Sequence, residues 1–219
     1  MAISSNGLAG LKPGVVDNTA SRPSAPFEGQ MIFQKDTDQL LIWNGTAWVI
    51  PNSPAQNPQG LELITTGALS SAVNFEGCFS ATYTNYRIVV NVDTHTGGAV
   101  NIQAFPLLGS TPNTTAANYS NVGMEQPIAS GWTITTFGKS GTGAGWEIGR
   151  LNGDGASGTF IVDIFNPFVS VKTYFKSEYI DGGQAGRLAG LLSVTTSYDG
   201  IRFTGPTMTG TVSVYGYRK

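Results

Sequence analysis

Hydrophobic and polar residues alternate with a period of two along most of this chain. In residues 86–92, Tyr86, Ile88, Val90 and Val92 fall on one side, and the residues between them fall on the other. Successive side chains of a β-strand point to opposite faces of a sheet, so this period predicts half-buried strands. The same pattern recurs in residues 99–108, 131–137, 145–151, 159–165, 171–180, 187–198 and 210–217.

No window of the sequence shows the 3.6-residue stripe of an amphipathic helix. Strand-length segments follow one another about every ten to twelve residues, with turn-forming residues between them, and this spacing is typical of sandwiches and barrels. The sequence therefore predicts an all-β chain in which residues 61–219 form one antiparallel, jelly-roll-like β-sandwich.

Residues 29–50 predict a separate unit of three short strands. Asn44-Gly45 is a strong hairpin signal because both residue types tolerate a positive φ, and residues 36–39 supply a second turn through Asx side chains. Alternation leaves apolar side chains on both faces of this unit, whereas a three-stranded sheet in water can bury one face at most. We therefore expect the second face to pack either on the rest of the chain or on other copies of the unit.

The segments on either side of this unit contain few large apolar side chains. Residues 1–28 are rich in glycine and proline and show no strand or helix pattern, so they predict an extended arm. Residues 51–60 hold three prolines among polar residues and predict a semi-rigid linker. The predicted order is an arm (1–28), a small β-unit (29–50), a linker (51–60) and a sandwich (61–219).

Composition narrows the possible partners. Charged residues make up 12% of the chain, where about 25% is typical, and the formal net charge is −2. Lys and Arg are not clustered, which argues against nucleic acid as a partner. The first residues lack the features of a secretory signal, so we expect synthesis in a cytoplasm. A membrane span needs about 18 apolar residues and no apolar run approaches that length, so we expect no membrane insertion. The single cysteine, Cys78, allows no intrachain disulfide.

Catalytic motifs are scarce. His95 is the only histidine, and no G-x-S-x-G turn accompanies it. One histidine and one cysteine are too few for a zinc site. Residues 138–140 read Gly-Lys-Ser but lack the glycine spacing of a P-loop, and residues 152–155 predict a turn rather than a calcium loop. We expect no metal and no cofactor.

Two sets of side chains are candidates for work on glycans. Paired carboxylates could hydrolyse a glycosidic bond, but the candidates Glu125, Glu147, Asp154, Asp163, Glu178 and Asp181 lie in no diagnostic motif, so we expect no enzymatic activity. Aromatic rings could stack on sugars, although most are expected in the core. The candidate ligand-facing aromatics are Tyr119, Trp132, Trp146, Phe168 and Tyr198.

The N-terminal quarter of the chain carries a distinctive sequence pattern. A proline-containing lead with Pro23 precedes Gly29-Gln30, the turn Asp36-Thr37, a hydrophobic strand, and Asn44-Gly45 with Trp48 three residues later. This pattern resembles a short module of tailed-bacteriophage virion proteins.

The C-terminal part resembles a phage structural domain. Phe79, Tyr83 and residues 85–90 match the pattern of one of its strands, and residues 198–203 and 209–219 match its closing segment. The region between Val92 and Gly190 carries little of the pattern.

The resemblance implies a homotrimeric, non-enzymatic virion protein of the tail-fibre or head-fibre type. Three copies of the small unit would bury its second apolar face through Phe33, Ile42, Trp43 and Trp48. Residues 1–28 would attach the trimer to other virion proteins, and the sandwich would bind a glycan or protein receptor on the host surface.

Other readings of the function remain open. The same trimer could sit on the capsid as a head fibre or as a decoration or cement protein. A glycan depolymerase and a cellular carbohydrate-binding module are the further alternatives, and the second of these leaves the phage-like N-terminal pattern unexplained.

Overall fold

The computed structural model describes residues 13–51, 60–128, 134–140, 144–153 and 155–218. The chain divides into two compact units, Met1–Gln59 and Gly60–Lys219. Among the sequence predictions, Trp132, Asp154 and the first part of the predicted arm lie outside the described residues, as does most of the predicted linker.

The first unit contains one four-stranded sheet, in which the strands follow one another in chain order. Its strands are β1 (Gly14–Val16), β2 (Met31–Gln34), β3 (Gln39–Trp43) and β4 (Trp48–Val49). The last three are the strands predicted from the sequence, and they pair antiparallel. β1 lies within the segment predicted as an arm and pairs in parallel with β2. Three residues are too few for alternation to be visible in the sequence, so this strand was missed.

The hairpin loop between β3 and β4 is organised by the side chain of Asn44. Its Oδ1 accepts hydrogen bonds from the backbone N–H groups of Thr46 at 3.0 Å and Ala47 at 2.8 Å. Gly45 has a φ of 95°, which favours glycine, whereas Asn44 does not adopt a positive φ. The loop therefore spans four residues and is longer than the two-residue turn that the Asn-Gly signal predicts.

The second unit is an antiparallel β-sandwich, and the predicted jelly-roll-like, all-β fold is confirmed. Its strands are β5 (Leu61–Leu69), β6 (Ala72–Phe75), β7 (Asn85–His95), β8 (Val100–Leu108), β9 (Thr111–Pro112), β10 (Tyr119–Pro127), β11 (Thr135–Ser140), β12 (Trp146–Leu151), β13 (Gly158–Phe165), β14 (Thr173–Asp181), β15 (Gln184–Leu192), β16 (Gly200–Thr204) and β17 (Met208–Tyr217). Two short 3₁₀ turns complete the secondary structure, and the described part of the chain contains no α-helix.

Two sheets form the layers of the sandwich. The larger has eight strands in the order β11-β10-β15-β14-β13-β7-β17-β5, and the smaller has five, with β12-β8-β16-β6 in a row and β9 paired to β8. The core lies between them. The predicted inward faces of β7, β13 and β14 are confirmed: Ile88, Val90, Phe160, Val162 and Phe175 are all buried. Their neighbours along each strand form the outer face of the larger sheet.

The two ends of the larger sheet differ in what they hold. At one end Leu61 pairs with Tyr217, so the chain coming from the first unit enters the sandwich here. We call the opposite end the distal end. There Gly158 pairs with both Val92 and Asp181, and the loops that follow β7, precede β13 and follow β14 come together.

Candidate functional site

One face of the four-stranded sheet consists only of apolar side chains. The strand register places Phe33 beside Val15 and Leu40, and Met31 beside Ile42, which in turn pairs with Val49. None of the six is buried, and Val15 is 55% exposed. We refer to these residues as the apolar face: Val15, Met31, Phe33, Leu40, Ile42 and Val49.

The opposite face of the same sheet is covered by the chain itself. Ile32 and Leu41 are buried there beside Gln34, whose amide is fully buried. The Gln34 side chain accepts a hydrogen bond from Arg22 Nε at 2.7 Å and donates to the Thr19 hydroxyl at 3.2 Å. These bonds hold the segment before β2 over this face, so the sheet has one closed side and one open side.

The four residues predicted to form a trimer interface fall on both sides of the sheet. Phe33 and Ile42 belong to the apolar face. Trp43 and Trp48 are cross-strand partners on the covered face, with ring centroids 5.6 Å apart. The prediction combined residues of opposite parity along β3, and a flat interface cannot use Ile42 and Trp43 together. An interface through the apolar face thus contains half of the predicted set.

The structure corrects the list of ligand-facing aromatics. Tyr119, Trp146 and Tyr198 are buried in the sandwich core, and Phe168 packs partly buried against it. Trp146 stacks on Phe175 with centroids 4.9 Å apart. The three buried rings stabilise the core and are not accessible to a ligand. The fifth candidate, Trp132, lies outside the described residues.

A cleft runs along β15 on the outer face of the larger sheet, and we call it the β15 cleft. It consists of two adjoining hollows of about 380 and 410 Å³ that share Met124, Glu178 and Arg187. Small side chains, Ala185 and Ala189, form its floor because they leave room between the longer residues of β10 and β14. This cleft was not predicted, because no aromatic residue and no motif of the sequence marks it. Small residues at alternate positions of β15 were the available signal.

A second cleft lies at the distal end, and we call it the distal cleft. Its volume is about 510 Å³, and its lining comes from β7, the start of β13 and the end of β14. Its side chains are mainly short and polar, including Asn91, Asp93, Ser157 and Thr159. The sequence offered no motif here, since the residues come from three separate segments.

The most heavily bonded carboxylate of the outer face is Asp163. It accepts hydrogen bonds from Arg87 Nε at 2.7 Å, Arg87 Nη2 at 2.8 Å and the Tyr217 hydroxyl at 2.8 Å, and Lys176 Nζ lies 3.1 Å away. Burial opposes ionisation of this carboxyl, but the hydrogen bonds from Arg87, Tyr217 and Lys176 outweigh it, so the pKa of Asp163 is lowered. Burial, together with the bond to Asp163, raises the pKa of Tyr217 to about 12. The cluster joins β7, β13, β14 and β17.

The side chains with catalytic potential have structural partners. Both ring nitrogens of His95 lie 3.0 Å from backbone carbonyl oxygens, those of Ala156 and Gly98. Cys78 is buried, and burial raises the pKa of its thiol to about 12, so it packs as a small apolar residue.

Four of the candidate carboxylates, including Asp163, also have hydrogen-bond partners within the protein. Glu125 accepts a hydrogen bond from the Tyr179 hydroxyl at 2.9 Å, and Glu147 accepts one from Asn101 at 3.0 Å. Asp181 accepts bonds from the backbone N–H groups of Gly183 and Gln184, which follow β14, and of Asn152, which follows β12. Across the residues that the structure covers, no three His, Cys, Asp or Glu side chains are grouped to hold a metal ion. A search of the same residues for a helix of membrane-spanning length and apolarity finds none.

Comparisons with known proteins add little to this geometry. No family model matches the sequence, and no curated protein matches it. A solved structure, the crystal structure of a human SPRY domain, aligns with 12% sequence identity and a TM-score of 0.31, covering 72% of this chain and 97% of that domain.

Proposed function

We propose that this chain is a virion fibre protein of a tailed bacteriophage. It assembles as a homotrimer through the apolar face, attaches to the particle through residues 1–28, and presents the sandwich to a receptor on the host surface. The observation that carries the proposal is a face of six apolar side chains on a small sheet whose other side is already closed.

The physical argument for self-association concerns the fate of this face. Burying one large aliphatic or aromatic side chain stabilises a protein by about 1.5–3 kcal/mol. Six such side chains lie side by side here, two of them exposed and four half-buried, so leaving this face in water is costly. A small sheet also needs a hydrophobic partner for independent stability. When identical chains assemble with closed cyclic symmetry, every copy buries the same surface. The threefold order comes from the resemblance of residues 22–49 to the phage module.

The chemistry of the sandwich supports a binding role. Its outer surface carries few charges and holds two clefts, one along β15 and one at the distal end. In a trimer three copies of a weak site act together, so each site needs only modest affinity. His95 and Glu125 already have hydrogen-bond partners within the protein, which supports a role in binding rather than catalysis.

The assembly step is tested by measuring the mass of the full chain by analytical ultracentrifugation. We expect a species of three chains, and the double variant Phe33→Asp/Ile42→Asp should sediment as a monomer. Leu108→Asp is the control, because it places the same charge at an exposed apolar residue of the sandwich, outside the apolar face. A monomeric wild type, or a double variant that remains trimeric, would overturn the assembly step.

The location is tested by immunogold electron microscopy of intact particles with antibody against residues 61–219. Gold at the tail supports host recognition, and binding of the purified chain to host cells should accompany it. Gold over the shell would replace this function with that of a head fibre or capsid decoration protein. Particles without gold would reject a virion role.

A further inference from the structure

We infer that the distal cleft binds a neutral saccharide with two adjacent hydroxyl groups, held by Asp93 and Asn91 and packed against Ile180. The inference rests on the proposed receptor-binding function and names the ligand class and the side chains. It places the site at the end of the sandwich opposite the point where the chain enters.

An irregularity of the sheet directs Asp93 toward the cleft. β7 and β17 pair Val92 with Gly210 and Thr94 with Thr209, which leaves Asp93 as an extra residue in a β-bulge. A bulge turns the side chain of the extra residue out of the regular alternation. Gly210 makes the bulge possible: its φ is 149°, and a Cβ there would lie 2.0 Å from the carbonyl oxygen of Asn91.

The polar groups of the cleft are arranged as a donor next to an acceptor. The Thr159 hydroxyl donates to Asn91 Oδ1 at 3.1 Å, which orients the amide so that its NH₂ group points away from Thr159. The Asp93 carboxylate has no ion pair or hydrogen bond with any described residue. A carboxylate accepts hydrogen bonds and an amide NH₂ donates them. Two neighbouring sugar hydroxyls can therefore be bound at once, one as donor to Asp93 and one as acceptor from Asn91.

The charge of the cleft selects a neutral ligand. Its described lining contains the carboxylates of Asp93 and Asp181 and no Lys, Arg or His. Asp181 is committed to the backbone N–H groups of Asn152, Gly183 and Gln184, so it shapes the loop and adds negative potential. Phosphate groups and acidic sugars would be repelled here. The β15 cleft differs, since it contains both Lys176 and Arg187.

One apolar side chain completes the site. Ile180 lies at the cleft and is 54% exposed, because it is an outward residue of β14, whose inward residues are buried. A sugar ring has an apolar C–H surface beside its hydroxyls, and binding sites pair a hydrophobic contact with a few placed polar groups. The exposed side chain of Ile180 supplies the contact that an aromatic ring provides in many sugar sites.

The test measures binding of single sugars to the full-length chain. Saturation-transfer NMR detects the binding, and a titration gives the affinity. The neutral probes are glucose, galactose, mannose and N-acetylglucosamine. The comparison probes are glucuronic acid, N-acetylneuraminic acid, inorganic phosphate and calcium chloride. We expect at least one neutral sugar to bind, and the acidic sugars, phosphate and calcium to leave that signal unchanged.

Variants locate the site. Asp93→Ala and Asn91→Ala should each weaken binding of that sugar at least tenfold. Asp93→Asn, which keeps the shape of the side chain, guards against a folding defect at the bulge and should also weaken it. Glu76→Gln removes an exposed carboxylate away from the cleft and should have no effect. Failure of all four neutral sugars to bind, preference for an acidic probe or calcium, or full affinity in folded Asp93→Asn would overturn the inference.

The sugar site in the distal cleft and the virion function can be rejected independently. If the wild-type chain binds host cells but Asp93→Asn binds them equally well, the distal cleft is not the site and the receptor-binding function stands. If immunogold finds no chain on the particle, the virion function falls, whatever sugar the cleft binds.

Discussion

The two units of this chain close their hydrophobic surfaces in different ways. The sandwich buries both of its inner faces within one chain, so Ile88 of the larger sheet and Ile102 of the smaller one are fully covered. The four-stranded sheet closes only the side that holds Ile32 and leaves the side that holds Phe33 open. A closed core makes a unit stable by itself, whereas an open face makes its stability depend on a partner.

The difference follows from the amount of chain available to each unit. A second sheet covers the first in the sandwich. In the small unit, the segment around Thr19 and Arg22 folds back, and its bonds to Gln34 fix it to one side. Stability should therefore be intrinsic in one unit and concentration-dependent in the other, and four experiments can break or sharpen this contrast.

The largest effect is expected in the closed core. Trp146→Ala should lower the free energy of unfolding of the sandwich by about 3–5 kcal/mol, because it empties a fully buried site beside Phe175. Denaturant unfolding followed by circular dichroism measures this. Tyr174→Ala removes an exposed aromatic of the larger sheet of the same sandwich and should change stability by less than about 0.5 kcal/mol. Equal effects of the two changes would contradict a closed core.

The next effect concerns the ionic cluster of the sandwich. Asp163→Asn should cost about 1.5–3 kcal/mol at pH 7, the range for hydrogen bonds to charged groups. The lowered pKa of Asp163 stabilises the folded state fully above the ordinary carboxyl pKa of 3.8, and this stabilisation is lost as pH falls through the lowered value.

Unfolding at pH 7 and at pH 2–3 tests the sign, since the difference between wild type and Asp163→Asn should shrink with acid. The small sheet offers the control: Asp17 pairs with Lys35 at 2.8 Å, but both side chains are largely exposed. Asp17→Asn should leave stability unchanged. A penalty for Asp163→Asn that persists unchanged in acid would show that the charge of Asp163 is not its source.

A smaller effect distinguishes the units by dilution. If the small sheet folds as part of a trimer, tenfold dilution destabilises it by about 0.9 kcal/mol per chain, which is two thirds of the free energy of a tenfold change. Hydrogen exchange of the Phe33 amide and of the Ile88 amide at two concentrations measures both units at once. Exchange at Phe33 should accelerate on dilution and exchange at Ile88 should not. Equal behaviour would remove the contrast.

The smallest effect is expected in the hairpin loop of the small sheet. Asn44→Ala removes the acceptor for the N–H groups of Thr46 and Ala47 and should cost about 0.5 kcal/mol, the low end for a hydrogen bond because the loop is exposed. Asn44→Asp keeps an oxygen in the same place and should be neutral. Exchange protection of the Trp43 amide, which bonds to Gln30, reports on the loop. Identical protection in both variants would mean that the Asn44 acceptor does not stabilise the hairpin.

Alternation predicted the strands of the sandwich well, because burial on one side imposes a period of two. In β13 it placed Phe160, Val162 and Ile164 together and Asp163 opposite, as observed. Alternation could not show which aromatic rings are fully enclosed in the core. Trp146 lies in β12, where residues of both faces are buried, and the sequence of one strand does not reveal that both of its faces are covered.

The sites were less predictable than the fold for a physical reason. The bulge at Asp93 depends on the pairing of its neighbour Val92 with Gly210, more than a hundred residues away, and neither Asp93 nor Gly210 carries a local signal. The distal cleft likewise joins three segments through sheet register. For the small sheet, alternation separates Ile42 from Trp43, so the two faces were predictable from the sequence, while the choice of the closed face depends on Gln34 and its partners.

The sandwich begins and ends at the same place. The backbone N–H of Arg218 donates to the carbonyl oxygen of Gly60 at 3.1 Å, and the Arg218 guanidinium pairs with Glu62 at 2.7 Å. A folded segment whose two ends touch can be spliced into a different carrier chain without stretching either connection. Residues 60–218 therefore form an exchangeable cassette, and recombination at these two points would transfer its distal loops to a new carrier in a single step.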